Sequence, residues 1–214
     1  MKISKLFVTV LTVLMIASCG KEETKPTYEV VFKSAKTTDC TACLYVLLPE
    51  YDKVQLLDSV KPQAGVYRFH GSIGDAAEAF VRLKGDTIAY SFVLTDNRIT
   101  IVADSSLYRI YGSRSNDRLT RLLSQKIVNR ESCRKINQSY LRLVADSTLT
   151  RTDEDSLRNL FDVEQRRFSK FVVSELSRDV ADYPVMSRLA LRLFYTDLLL
   201  EDRDSLMKIV KREE

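Results

Sequence analysis

Leu107-Tyr108-Arg109-Ile110-Tyr111-Gly112 is the stretch where the chain changes its period, because Leu119, Leu122, Leu123 and Ile127 follow it. Up to Gly112 the apolar residues come in short runs of the kind found on strands. Beyond it they return every three or four residues, the spacing that lines one side of a helix. The switch divides the chain into a strand half and a helix half.

Working back from Gly112, the runs are Ile99-Thr-Ile-Val, Ile88 to Leu94, Ala79 to Leu83 and Val66-Tyr-Arg-Phe, then Val54-Gln-Leu-Leu, Leu44 to Leu48 and Tyr28 to Lys33. Gly65, Gly71, Gly74, Gly85 and Asp96-Asn97 punctuate them. Short segments rich in Val, Ile, Tyr and Phe between turn residues predict an antiparallel β-sandwich or barrel of about seven or eight strands over residues 27–113. Lys84-Gly85-Asp86 and Asp96-Asn97-Arg98 read as hairpin turns. Within Val66 to His70, Tyr67 and Phe69 share one face and are expected in the core, leaving Arg68 and His70 on the other face.

Working forward, residues 114–214 read as all-helical, so the fold class is α+β. The first stripe runs from Leu119 through Ile127, Cys133, Ile136 and Tyr140 to Leu143 and Val144. A second uses Leu157, Leu160, Phe161, Phe168, Phe171, Val172 and Leu176, with Asp153 to Ser156 as its expected cap. Pro184 suits the first turn of a third helix, and a short fourth spans about 204–211. Neither long stripe can be buried alone, so the two helices are expected to pair as an antiparallel hairpin, or to bind a partner protein or a second copy of the chain.

The N-terminus carries a different signal. Lys2 and Lys5 precede an apolar run from Leu6 to Ile16, broken only by Thr9 and Thr12. That run is well short of the ~20 residues that span a bilayer and matches a signal-peptide core. It ends in Ile16-Ala17-Ser18-Cys19, which resembles the lipobox of bacterial lipoproteins. Small residues at 17 and 18 suit the peptidase, and the Cys19 thiol would carry the diacylglycerol. Residues 1–18 are thus read as a lipoprotein signal and 19–26 as the lipidated cysteine and a flexible tether. Gly20 stands where an inner-membrane retention signal would have Asp, which points to the outer membrane. Lys21-Glu22-Glu23 resembles a surface-export tag, and either leaflet, periplasmic or exposed, fits the tether.

Composition sets limits on the chemistry. The chain has 214 residues, 45% hydrophobic and 29% charged, an ordinary globular balance. Cleavage removes Lys2 and Lys5, which lowers the formal charge from +4 to about +2. No basic stripe with interleaved aromatics marks a nucleic-acid partner. With one histidine, His70, a multi-histidine metal site is impossible. A Ser-His-Asp triad would need His70, and there is no Gly-x-Ser-x-Gly elbow. No glycine-rich phosphate loop occurs either. The expectation is a protein that is not an enzyme and uses no metal or cofactor.

Several segments carry a family resemblance. They are Leu57-Asp58-Ser59-Val60, Gly65 to Gly71, Ser91-Phe92-Val93-Leu94, Asn97-Arg98-Ile99-Thr100-Ile101, Tyr111-Gly112-Ser113 and Asn116-Asp117. In this order they resemble the uncharacterised envelope lipoprotein domain found ahead of thioredoxin-like (AhpC-TSA-type) thiol–disulfide oxidoreductases. The resemblance covers roughly residues 27–120, and the following helices resemble that family's connector. It implies an envelope location, a β fold and no activity of the module itself; the thioredoxin domain of longer relatives is expected to be missing here.

Three sets of residues remain as candidate chemistry. Cys40-Thr41-Ala42-Cys43 is read either as a small structural disulfide or as a redox pair, which would make the chain an accessory thiol–disulfide protein. The strand-like run after Cys43 and the lack of a preceding Trp speak for the structural reading, because a reactive thiol sits at a helix N-terminus. Cys133 reads as a small buried residue on a helix; a zinc site from Cys40, Cys43, Cys133 and His70 lacks a second ligand pair. Asp-Ser or Asp-Thr followed by an aliphatic residue or Thr recurs at Ser59, Thr87, Ser147, Ser156 and Ser205. This resembles an O-glycosylation acceptor motif of some anaerobic Gram-negative envelopes, and turn or cap chemistry explains positions 146, 155 and 204 without glycans. The favoured function is a non-catalytic, outer-membrane-anchored binding module. A surface component of a glycan-capture system is the other alternative.

Overall fold

The computed structural model describes residues 27–35, 39–48, 53–104 and 107–212. The signal segment, Cys19 and the tether lie outside the described residues. The strand half contains β1 (Thr27–Ser34), β2 (Ala42–Leu48), β3 (Lys53–Val60), β4 (Val66–Ser72), β5 (Ala77–Leu83), β6 (Tyr90–Leu94), β7 (Arg98–Asp104) and β8 (Leu107–Tyr111). The helix half contains α1 (Arg114–Ala145), α2 (Arg151–Asp179), α3 (Pro184–Phe194), a 3-10 turn (Tyr195–Asp197) and α4 (Leu200–Arg212). The fold is α+β with an N-terminal sandwich, as expected from the sequence.

The strands form two four-stranded sheets, ordered β4-β1-β7-β8 and β3-β2-β5-β6, which face each other without closing into a barrel. Alternation decides which side chains meet between them. Val30, Phe32, Tyr67, Phe69, Ile99 and Ile101 of the first sheet are buried, as are Leu44, Val81, Tyr90 and Phe92 of the second. Phe32 links the layers, with ring centroids 5.6 Å from Tyr67 in its own sheet and 5.0 Å from Tyr90 in the other. Arg68 and His70 point outward, as expected.

Two expectations about strand pairing are corrected. β1 and β7 run parallel, so the first sheet is mixed and not purely antiparallel. Asp96-Asn97-Arg98 does not close a hairpin, because β6 and β7 belong to different sheets. It carries the chain across the sandwich, whereas the Lys84-Gly85-Asp86 turn does join the paired strands β5 and β6.

Gly71 is required by packing. A Cβ there would lie 2.5 Å from the Tyr28 hydroxyl oxygen and 2.6 Å from the ring carbon that bears it. Tyr28 is buried, and burial together with the nearby Asp58 carboxylate raises its pKa. Gly71→Ala is therefore expected to destabilise the protein by about 1–3 kcal/mol through overpacking. Urea unfolding measures this, and in a Tyr28→Leu background the alanine should cost much less. Equal costs in both backgrounds would show that the ring is not the obstacle.

The helix boundaries follow local chemistry. The Ser113 side chain accepts from Asn116 N–H at 3.2 Å and starts α1. Thr150 and Asp153 form a reciprocal capping box that starts α2, a few residues before the Asp153–Ser156 cap expected from sequence. The Thr150 hydroxyl and N–H both donate to the Asp153 carboxylate, holding its pKa below the usual value. α3 begins at Pro184 as expected, and α4 begins earlier than expected, at Leu200.

α1 and α2 form the antiparallel hairpin. Asn129 Nδ2 donates to the Glu164 carbonyl at 3.0 Å, and Arg118 pairs with Asp179 near the sandwich. α3 lies on the outer face of the second sheet, where Arg188 and Arg192 approach the buried Glu78 of β5 at 3.6 and 3.5 Å. Residues of both halves belong to one hydrophobic core, from Val30 and Phe92 to Leu119, Phe168 and Phe194. The boundary at residue 113 separates element types and does not separate two cores.

Candidate functional site

The hairpin leaves the body of the protein at Asn129 and returns at Phe168. Asn129 is the last buried residue of α1 and Phe168 the first of α2. None of the described residues between them is buried. The α1 part of this arm, 130–145, has an axial length of about 24 Å at 1.5 Å per residue.

An arm free of the core should be polar all round, and this one is not. Leu141, Leu160 and Val163 are 55%, 53% and 59% exposed, and Tyr140, Val144 and Phe161 are also exposed. Of the two apolar stripes, Val144 and Leu160 lie outside the seam between the helices. The seam uses Cys133, whose sulfur accepts from Gln165 Nε2 at 3.6 Å. Burial, then the Glu164 charge, push the Cys133 thiol pKa up, so it stays protonated and is a poor nucleophile.

On one face of the arm the helices part into a groove of about 370 Å³. Ile136, Tyr140, Leu157 and Phe161 give it apolar walls, and Asn137, Glu154 and Arg158 add polar groups. Arg158 Nη2 lies 3.3 Å from Glu154 Oε1. This combination suits an apolar side chain from a second molecule between charged edges.

The other candidate residues are scattered. Cys40 and Cys43 are half-buried, and no bond joins their sulfurs. The Thr41 carbonyl already accepts from Lys84 N–H at 2.8 Å, extending the strand ladder to this segment. Residues three apart on extended backbone are separated by about 10 Å, beyond the ~7 Å that a disulfide bridges. Cys43 opposes Ser59 and Arg82 within β2 and has no helix N-terminus beside it. His70 is exposed on the first sheet, Cys43 lies on the second and Cys133 on the arm, so the four zinc candidates do not meet. Among the described residues no group of three or more His, Cys, Asp or Glu could hold a metal ion.

Ser59, Thr87, Ser147, Ser156 and Ser205 are all exposed. The cap explanation fails for two of them, because Ser156 lies inside α2 and Ser205 inside α4, where its hydroxyl donates to the Glu201 carbonyl at 3.0 Å. Ser147 follows α1 in a left-handed turn with φ 54°. On the outer face of the first sheet, Glu29 sits between Arg68 at 3.1 Å and Arg98 at 3.2 Å, an exposed ladder of the kind worth little energy.

Sequence reasoning missed two residues that decide how the halves join. Asn116 and Thr120 project from the start of α1 to the outermost strands of both sheets. Asn116 Oδ1 accepts from Val93 N–H at 2.9 Å, and its Nδ2 donates to the Val93 carbonyl at 2.8 Å. Thr120 Oγ1 accepts from Ile110 N–H at 3.0 Å and donates to the Ile110 carbonyl at 2.9 Å. The signal was present in the sequence, since both fall on the apolar stripe set by Leu119 and Leu123.

No family model matches the chain, and no curated protein matches it either.

Proposed function

We propose that the chain is a non-catalytic lipoprotein of the outer membrane, anchored through Cys19, whose hairpin arm binds a partner protein. The observation that carries this reading is the exposed apolar set on the arm. Burying a Leu or Val side chain is worth about 1.5–3 kcal/mol, so an arm that leaves several in water forgoes that stabilisation until something covers them. The sandwich and α3 hold the base of the arm rigid, which suits a docking element. The lipobox-like Cys19 supplies the location, and the outward apolar residues supply the activity.

A photo-crosslinking amino acid placed at Leu141 in the intact organism tests the reading. It is expected to give a discrete protein adduct, while the same probe at His70, exposed on the sandwich, gives none. Adducts of equal yield at both positions, or none at Leu141, would count against the arm as the docking element.

A further inference from the structure

We propose that a cleft at the root of the arm binds a small carboxylic acid with a short apolar tail, its carboxylate held by Arg130. The site is separate from the apolar face of the arm and does not depend on what docks there.

Three elements meet at this point. β8 starts at Leu107, α3 ends at Phe194, and α1 packs against both as it leaves the body. Leu123, Lys126, Ile127 and Arg130 follow one another at three- and four-residue steps, so they share one side of α1. Between that side and the ends of β8 and α3 lies a cleft of about 170 Å³. Ala89, Leu107, Leu123, Ile127, Leu193 and Phe194 give it apolar walls. Phe194 is fully buried, whereas Leu107 is 42% exposed and would be covered by an occupant. An apolar cavity of about 150 Å³ holds a benzene-sized molecule, so this cleft accepts a tail of about six carbon atoms.

The charges at the cleft are of one sign. Lys126 and Arg130 line it, and no acidic side chain does. Lys126 is already engaged. Its Nζ lies 2.6 Å from Asp197 Oδ2, donates to the Leu193 carbonyl at 3.4 Å and sits 5.4 Å from the centre of the Phe194 ring. Those contacts hold it in the wall and offset its charge. Arg130 is different: it is exposed, and among the described residues no carboxylate pairs with it. A planar fork of donors beside an apolar cleft matches a carboxylate, which it grips through two parallel hydrogen bonds. A neutral ligand would leave that fork unused, and a cation would be repelled by it.

Titration calorimetry of the full chain in detergent, with the same micelles in the syringe, tests the site. Hexanoate is expected to bind as one equivalent with a Kd of about 1 mM or tighter. Hexan-1-ol has the tail without the charge, and acetate has the charge without the tail. Each should bind at least about tenfold more weakly. Arg130→Gln should weaken hexanoate binding by about tenfold and leave the unfolding midpoint in place, because the side chain is exposed and unpaired. Ala89→Trp, at the exposed rim, should fill the cleft and abolish binding. Hexan-1-ol binding as tightly as hexanoate, hexanoate binding unchanged in either variant, or no saturation by about 10 mM overturns the site. Tighter binding of N-acetylglycyl-leucine would assign the cleft to the C-terminus of a peptide and overturn a free acid as its ligand.

Discussion

Replacing Asn116 by leucine is expected to lower the unfolding free energy by about 3–5 kcal/mol and to promote aggregation of what remains folded. Asn116 is fully buried and makes both of its hydrogen bonds to one residue, Val93, on the outermost strand of the second sheet. Its amide does what a neighbouring strand would do, accepting from the N–H and donating to the carbonyl. Leucine fills the volume and leaves both backbone groups unpaired, each at about 1–3 kcal/mol. It also uncovers the β6 edge, which Asn116 hides from other chains. The cost of Thr120→Val should be smaller, about 1–2 kcal/mol, because the bonds of Thr120 to Ile110 are only part-buried, so water can replace the hydroxyl. Tyr108 adds a third tie across the same opening, its hydroxyl donating to the Ser91 carbonyl at 3.0 Å. Burial of that phenol raises its pKa, so the tie persists through mildly alkaline pH. Urea unfolding with light scattering measures both effects; an Asn116→Leu protein as stable as wild type would show that the helix half is not what closes the sandwich.

The same residues mark how far the sequence could be read. The change of period at Gly112 placed the border between strands and helices, because alternation and helical spacing are local properties. Tyr67 and Phe69 against His70 were assigned to the correct faces for the same reason. The parallel pairing of β1 with β7 was hidden, since which distant strands meet is set by the whole sandwich and not by either strand alone. Asn116 and Thr120 look like ordinary polar helix residues until the strand edges are in place. The arm was half legible. Its apolar residues were visible, but helical spacing alone left open which of them served the hairpin seam and which a partner. In fact Cys133, Asn129 and Gln165 hold the seam, and part of the stripe is left outside for a second surface.

The other large effect concerns Cys19. On the proposed anchoring, Cys19→Ser is expected to abolish incorporation of a fatty-acid label into the chain completely. With residues 1–18 also exchanged for a cleavable secretory signal, the protein should move from the membrane pellet to the soluble fraction. The size of the change follows from the chemistry of the anchor. Each buried methylene is worth about 0.8 kcal/mol, and two or three acyl chains give stable attachment where one gives only marginal binding. No side-chain contact of the folded body approaches that sum, and among the described residues no helix is long and apolar enough to cross a membrane. Anchoring also bears on the arm, since confinement to one membrane raises its effective concentration for a partner held at the same membrane. The released variant is therefore expected to give far less Leu141 adduct at the same expression level, even though its arm is unchanged. A Cys19→Ser protein that keeps its label, or stays in the pellet after the signal exchange, would remove the anchor from the proposal and leave the arm to be judged on its own.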